Sequence, residues 1–354
     1  MVALVAQTLE TPTPKYMYMK TAVVILNYNG ETLLRTLLPT VVAHSPQAEV
    51  IVADNASTDG SLDLLRQTFP QVRIIALSEN YGFAEGYNRA LAQVDADYFV
   101  LLNSDVEVTA HWLEPLLDYM NRHADVAACQ PKIMSYTDRT KFEYAGACGG
   151  YIDALGYPFC RGRILSTVES DNGQYDDVAD VFWASGACLL VRADKFRAAG
   201  GLDGRFFAHM EEIDLCWRMQ ARGNRIVCVP QSTVYHIGAK TLAKEHPMKT
   251  YLNFRNNLLM IYKNAASAST ILAARLVLDW VAALHLLCQG KWQNVVAVLR
   301  AQKDFFVMRK NFAADRRENL QSTVNHHLKG LFRGSILWHY YIRRRTVARK
   351  LHGL

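Results

Sequence analysis

The chain has 354 residues, half of them hydrophobic, and a net charge of +6. That is enough apolar material to bury the core of one large α/β domain with an appendage, or of two domains, and 20% charged with 10% aromatic residues excludes a disordered chain. Part of the positive charge clusters near the C-terminus, at Arg343, Arg344, Arg345, Arg349 and Lys350, beside aromatic residues, which favours anionic lipid over nucleic acid.

Cys129, Cys148, Cys160, Cys188, Cys216, Cys228 and Cys288 are scattered, odd in number and without a C-x-x-C pair, as reduced thiols of a cytosolic protein are. Residues 1–20 have neither a basic leader nor a long apolar stretch; they read as a disordered extension, not a signal peptide, with Met17 or Met19 as candidate starts.

From residue 21 strands and helices alternate. TAVVIL (21–26) is a short apolar, β-branched run of the kind found in buried parallel strands. Leu33, Leu34, Leu37, Leu38, Val41 and Val42 then recur at helical spacing, and Pro39 is expected to kink or shorten that helix. EVIVA (49–53), VRIIAL (72–77) and DYFVLL (97–102) are further strands; helices are expected over 61–69, 84–94 and 109–122. Residues 126–192 are less regular, with strands and loops over 142–163 and a strand over 186–192. A helix over 211–222, a strand over 225–230 and a mostly helical chain from 249 follow. There is no internal repeat and no low-complexity segment.

This alternation predicts a mostly parallel sheet with right-handed crossovers, which binds ligands beyond the carboxyl ends of its strands. The polar clusters fall at those ends: Asn27-Tyr28-Asn29-Gly30, the run from Asp54 and Asn55 to Gly60, Asn80-Tyr81-Gly82-Phe83, and Asn103-Ser104-Asp105. The first loop is NYNG, so neither the dinucleotide-binding glycine pattern nor a P-loop is present, and no zinc spacing is visible. Residue by residue the chemistry stays open. Asp54 can accept from a pyrimidine N–H or a ribose hydroxyl, or can cap a helix. Asp59 reads as a turn or cap residue. Asp105 can hold Mg²⁺ or Mn²⁺ against a diphosphate, or close a turn. Glu211, Glu212 and Asp214 crowd into four residues, which raises at least one pKa and suits a general base, although acids also favour a helix N-terminus. Asp214 and Arg218 are spaced to pair on a helix. His236 alone argues more for structure than for a metal.

Taken in order, VVILNYNG, VADNASTDGS, ENYGFAEGYNRAL, LLNSDVEV, WASGACLLVR, GGLDGRFFAHMEEIDLCWR and VYHIGAKT resemble glycosyltransferase family 2, and most of all its bacterial rhamnosyltransferase-like branch. The resemblance runs from about residue 21 to 264. It implies the GT-A fold, a Rossmann-like, mostly parallel sheet flanked by helices, here with a helical C-terminal extension. It implies an inverting, metal-dependent transfer of a sugar from a dTDP- or UDP-linked donor to a glycan or lipid-linked acceptor in cell-surface polysaccharide synthesis. By the same resemblance Asn27, Asn29, Asp54 and Asn55 belong to the donor site, with Asp54 reading the base, and the segment holding Asn80, Gly82 and Asn88 wraps the nucleotide. Asn103-Ser104-Asp105 stands in for the family's D-x-D motif, with Asp105 as ligand of a divalent cation (Mg²⁺ or Mn²⁺) and an uncharged Asn103 in the first position. Glu211-Glu212 matches the acidic pair whose second member is the base, His236 completes the metal shell, and Trp183, Ser185 and Gly186 form the acceptor and donor wall. A non-catalytic nucleotide-sugar or glycan-binding protein on the same fold is the alternative; a nucleotidyltransferase is disfavoured for want of a basic loop after the first strand.

The expected division is 1–20 as extension, 21–264 as catalytic domain and 265–354 as a helical, membrane-associated region, with loop 142–176 choosing the acceptor. Residues 271–292 are strongly apolar, but Arg275, Asp279 and His285 count against a span, so a helix packed or lying on a surface is expected. Residues 330–350 mix Trp, Tyr and Arg as an interface does. The implied location is cytoplasmic, peripheral on the inner face of the plasma membrane, with no nucleic-acid partner.

Overall fold

The computed structural model describes residues 19–238 and 246–351. The N-terminal extension up to residue 18 and the end of the last motif, from residue 239, lie outside the described residues.

The strands are β1 (Thr21–Asn27), β2 (Glu49–Asp54), β3 (Arg73–Ala76), β4 (Tyr98–Asn103), β5 (Val106–Val108), β6 (Val126–Ser135), β7 (Gly150–Asp153), β8 (Pro158–Cys160), β9 (Arg163–Ile164), β10 (Thr167–Val168), β11 (Ala179–Asp180), β12 (Cys188–Arg192), β13 (Arg225–His236) and β14 (Leu331–Phe332). The helices are α1 (Glu31–Ala43), α2 (Ser61–Thr68), α3 (Gly82–Leu91), α4 (Glu114–Arg122), α5 (Ala193–Ala198), α6 (Glu211–Ala221), α7 (Pro247–Asn264), α8 (Ala268–Cys288), α9 (Trp292–Met308) and α10 (Ala313–Gln321).

The main sheet runs β11-β13-β6-β12-β4-β1-β2-β3, with β5 paired to β13. β3, β2, β1 and β4 are mutually parallel, β6 and β13 are parallel to each other, and β12 runs antiparallel between β4 and β6. This is the expected mostly parallel arrangement. Its two faces are covered separately: Leu34, Leu38, Leu65, Trp112 and Leu116 pack on one, and Tyr87, Leu91, Phe196, Leu215 and Met219 on the other. The register aligns Asn27 with Asp54 and Leu26 with Asn103, so three carboxyl ends finish on one rim.

Three expectations are corrected. α1 runs through Pro39 to Ala43; Pro39 is exposed, so the carbonyl left without its N–H faces water. α4 starts at Glu114, not 109, because His111 holds a left-handed φ of 59°. The buried strand β6 stood in the stretch read as irregular. Its Pro131 breaks a strand pattern, yet it sits where the register with β13 shifts between Val229 and Thr233, a bulge that needs no ladder donor there.

A second sheet, β10-β9-β8-β7-β14, takes its last strand from the C-terminal tail. The tail is thus helical through Gln321 and then returns to pair Leu331 with Ile152. All seven cysteines are free thiols, six of them buried.

α6 and α7 are joined by buried charge. Asp214 has no exposed surface; its Oδ2 accepts from Arg218 Nε at 2.9 Å and Lys263 Nζ at 2.9 Å, and its Oδ1 from Asn264 at 2.7 Å. Lys263 also reaches Asp203 at 2.8 Å. Burial opposes the charge on Asp214, but Arg218 and Lys263 outweigh it and hold its carboxyl below the usual range. The expected pairing of Asp214 with Arg218 is therefore one edge of a larger network. Asp214→Asn leaves two buried cations short of a counter-charge and should destabilise the fold by about 3–5 kcal/mol in urea denaturation; a loss under about 1 kcal/mol would contradict this role.

Candidate active site

At the first two strand ends the side chains lock the loops together. Asp54 is buried; its Oδ2 accepts from Asn27 Nδ2 at 3.0 Å and its Oδ1 from the Ser57 N–H at 2.9 Å. Asn27 Oδ1 is buried with no hydrogen-bond partner among the described residues and lies against Gly30. Asn29 accepts from the Thr58 N–H at 2.7 Å, tying the two loops, and Asp59 accepts from the backbone of Glu31 and Ser61, as a turn residue does. Asn55 donates to Asn80 Oδ1 and the Gly82 carbonyl, both at 3.0 Å, and accepts from the Tyr81 N–H. Gly82 has φ 74°, and a Cβ there would lie 2.5 Å from the Phe207 ring, so only glycine fits.

After β4, Asp105 is buried and its Oδ1 accepts from His236 Nε2 at 3.0 Å. Gln130, Lys132 and Met134 belong to β6, and β6 brings the hairpin carrying Glu143 alongside, with Glu143 Oε2 at 3.4 Å from His236 Nδ1. Burial opposes a charge on the imidazole, but the two carboxylates outweigh it and lift its pKa to about 10. Burial likewise raises the Asp105 pKa, and the His236 contact more than reverses this. Among the described residues no three His, Cys, Asp or Glu side chains are arranged to hold a metal. The reason is geometric: Asp105 and Glu143 lie against opposite nitrogens of one ring. Asp105 and His236 do fit a shared cation, since adjacent ligands about 2.1 Å from a metal lie close to 3.0 Å apart. The remaining ligands would come from substrate and water, as is usual for these hard cations.

A second acidic group lies at the head of α6. Glu211 is buried, Glu212 is half-buried, and the Oε2 of each is enclosed with no hydrogen-bond partner among the described residues. Burial pushes the Glu211 carboxyl well up, and the charge of Glu212 pushes it further; burial raises Glu212 to about 7. The approach to this pair is strained: Phe207, His209 and Met210 all have φ between 66° and 75°. Two elements hold that approach. Asn256 Nδ2 on α7 lies 2.8–3.0 Å from the carbonyls of Phe206, Ala208 and His209. The Phe207 carbonyl accepts from the Phe83 and Ala84 N–H groups at the head of α3, at 2.8 and 3.2 Å. Gly186, two residues before β12, joins the halves: a Cβ there would sit 3.2 Å from the Phe83 ring and 3.9 Å from Glu212 Cβ.

Hydrogen bonds join Asn27, Asp54, Asn55, Asn80 and Gly82, Asn103 and Ser104 follow at the end of β4 beside β1, Asp105 meets His236, and Gly186 packs beside Glu212 of the Glu211–Glu212 pair. Asn88 turns away: both ends of its amide bind the Leu202 backbone, at 2.7 and 3.0 Å. Trp183 lies over Gly150 and donates to the Tyr151 carbonyl, and Ser185 binds the Ala145 carbonyl, so both brace the wall from behind. A cavity of 590 Å³ between α3, loop 199–205 and α10 holds Asn88 but none of Asp54, Asp105 or Glu212. Sequence reasoning missed Glu143, Asn256 and Ser57. Glu143 sat in a loop with no readable pattern, and Asn256 is one of several polar residues in α7, so nothing in the sequence set it apart.

Comparison with known proteins places this rim in a family. The Glycosyl transferase family 2 profile matches residues 22–166. Over 254 residues the chain is 31% identical to the N-acetylglucosaminyl-diphospho-decaprenol L-rhamnosyltransferase of Mycobacterium tuberculosis, covering 65% of this chain and 82% of that protein. Staphylococcus aureus TarS 1–349, solved with UDP-GlcNAc, shares the fold with a TM-score of 0.55 at 16% identity, over 86% of this chain and 89% of that one. GalNAc-T7, solved with UDP, GalNAc and Mn²⁺, does so with a TM-score of 0.57 at 14% identity, over 92% of this chain and 57% of that one. The chain belongs to glycosyltransferase family 2, in its rhamnosyltransferase-like branch, and has the GT-A fold.

The acid pair makes stability depend on pH. A carboxyl whose pKa is raised on folding binds its proton more tightly in the folded chain, so stability falls as pH rises from its unfolded pKa toward its folded one. Glu211→Gln removes that slope: in urea denaturation the variant should gain on the wild type as pH goes from about 5 to about 8. An equal difference at both values would show that Glu211 carries no raised pKa.

Proposed function

We propose that this family-2 enzyme transfers a sugar from a nucleotide-diphosphate donor, of the dTDP-rhamnose or UDP-hexose type, to a hydroxyl of a glycan or lipid-linked acceptor in cell-surface polysaccharide synthesis. The observation that carries the proposal is the pair of enclosed carboxyl oxygens on Glu211 and Glu212, without a hydrogen-bond partner among the described residues, beside Gly186 at the head of α3. The likeness to a transferase named for rhamnosyl transfer onto a lipid-diphosphate sugar supports the donor and acceptor classes. The catalytic unit is residues 21–264, with 265–354 as the segment that seats it, and the enzyme works on the cytoplasmic face of the plasma membrane as a peripheral protein.

Asn27, Asp54 and Asn55 bind the nucleoside end, with Asn27 Oδ1 and the Asp54 carboxylate as acceptors for ring and ribose donors. Asn103 and Ser104 border the path to the diphosphate. Asp105 and His236 would hold a divalent cation, which would supply Lewis-acid stabilisation of the departing diphosphate. Glu212 takes the proton from the acceptor hydroxyl, whose oxygen attacks the anomeric carbon from the face opposite the nucleotide, so configuration inverts. Glu211 lies beside it, its own carboxyl pushed well up by burial and by the charge of Glu212.

Glu212→Gln should lower turnover about 10²–10⁴-fold while leaving donor binding intact, as measured by nucleotide release and by thermal shift. Because Glu212 must be ionised to act, kcat/KM should rise with pH through an apparent pKa of about 7; an acid limb near 4 would argue against Glu212 as the base. Asp105→Ala should abolish the rise in melting temperature that UDP or dTDP gives with Mn²⁺. A rise that survives both EDTA and Asp105→Ala would remove Asp105 from the metal site.

A further inference from the structure

The helix with the greatest apolar content is turned inside out. On α8, Leu272, Arg275, Asp279 and Ala283 are buried, a stripe at helical spacing that faces the rest of the protein. Arg275 lies 3.7 Å over the Tyr157 ring, donates to the Leu155 carbonyl at 3.1 Å and to Asn257, and pairs with Asp279 at 3.6 Å. The ionisable side chains of the helix core thus dock it onto the catalytic unit. The opposite face carries Val277, Trp280, Val281, Leu284 and Leu287, and at the following turn Trp292, each 46–64% exposed. α9 continues the surface with exposed Val296 and Phe306. By length and composition α8 could cross a membrane, yet its inner stripe is committed to protein, which suits a helix lying on a surface.

Charge selects what covers this face. From Trp280 to Lys310 the chain carries Lys291, Arg300, Lys303, Arg309 and Lys310 against one acid, Asp304. That acid accepts from the Tyr251 hydroxyl at 2.6 Å and lies 3.6 Å from Arg300. Tryptophans at the edge of an apolar stripe, with cations around it, match the headgroup layer of an anionic bilayer, where aromatic rings sit at the boundary and cations meet phosphate.

We propose that the outer face of the α8–α9 hairpin docks into the surface layer of an anionic lipid bilayer without crossing it. The hairpin is also coupled to the site. Ala297 and Ala301 of α9 pack with Tyr251, Leu252 and Ala208, and Ala208 lies in the loop that leads into Glu211. Docking would therefore bring the acid pair's side of the rim toward lipid-borne hydroxyls, a consequence that rests on the transferase reading, while the docking itself does not.

The test is co-sedimentation of the full chain with phosphatidylcholine vesicles, with and without about 30% phosphatidylglycerol, alongside light scattering for oligomeric state. Binding should need the anionic lipid, weaken with salt and be released by alkaline carbonate. The exposed pair Trp280→Ser and Leu284→Ser together should lower the partition coefficient at least about tenfold while leaving the nucleotide-induced thermal shift unchanged. Equal binding by wild type and variant, no binding to anionic vesicles, or retention through carbonate would each overturn the proposal. A dimer that the two substitutions dissociate, in protein that ignores vesicles, would assign the face to a second copy. Vesicle binding without any nucleotide shift would leave the docking standing and remove the transferase reading instead.

Discussion

The rim depends on four backbone carbonyls. Phe206, Ala208 and His209 direct theirs to one amide, Asn256 Nδ2, and Phe207 directs its own to the head of α3. Three residues of this loop and helix start hold left-handed backbones that side chains other than glycine disfavour. The cost is met because every carbonyl finds a donor in a buried setting, where an unmade hydrogen bond is expensive. The same bonds fix the start of α6 against α3, so the acid pair and the nucleotide-side loop cannot move independently. The network of Asp203, Asp214, Arg218 and Lys263 fastens the far side of α6 to α7 and completes the frame.

Two acidic groups of the site have opposite electrostatics. In one, a buried imidazole between two carboxylates carries a proton, and Asp105 is ionised. In the other, two glutamates have no cation bonded to either among the described residues, and both hold protons above the usual carboxylate range. Burial and neighbouring charge thus push titratable groups of the site in opposite directions, down at Asp105 and up at Glu212.

Much of this was legible in the sequence. Short apolar runs followed by Asn, Asp and Ser gave the parallel strands and placed the rim, because burial on both faces leaves little else for those runs to be. Motif order singled out Glu211, Glu212, Asp105 and His236 as candidates, and the fold sets Asp105 against His236. The rest depends on distant partners. Asn88 matched a binding motif, yet its amide is spent on Leu202, more than 100 positions away in the chain. Asn256 and Glu143 matter only because a helix and a hairpin bring them to carbonyls and to an imidazole. β6 was hidden by Pro131 and Lys132, whose positions make sense only beside the bulge and beside Asp171 and Asp176. α8 has a periodicity that marks a buried face without saying which way the apolar face points.

The most direct measurement is anomalous diffraction from crystals grown with Mn²⁺ and UDP or dTDP. The account predicts a manganese peak bound by Asp105 and His236, with the nucleotide beside Asp54 and the Glu212 carboxyl facing the open side of the diphosphate. Nucleotide bound with the metal elsewhere, and His236 still bonded to Asp105, would contradict it.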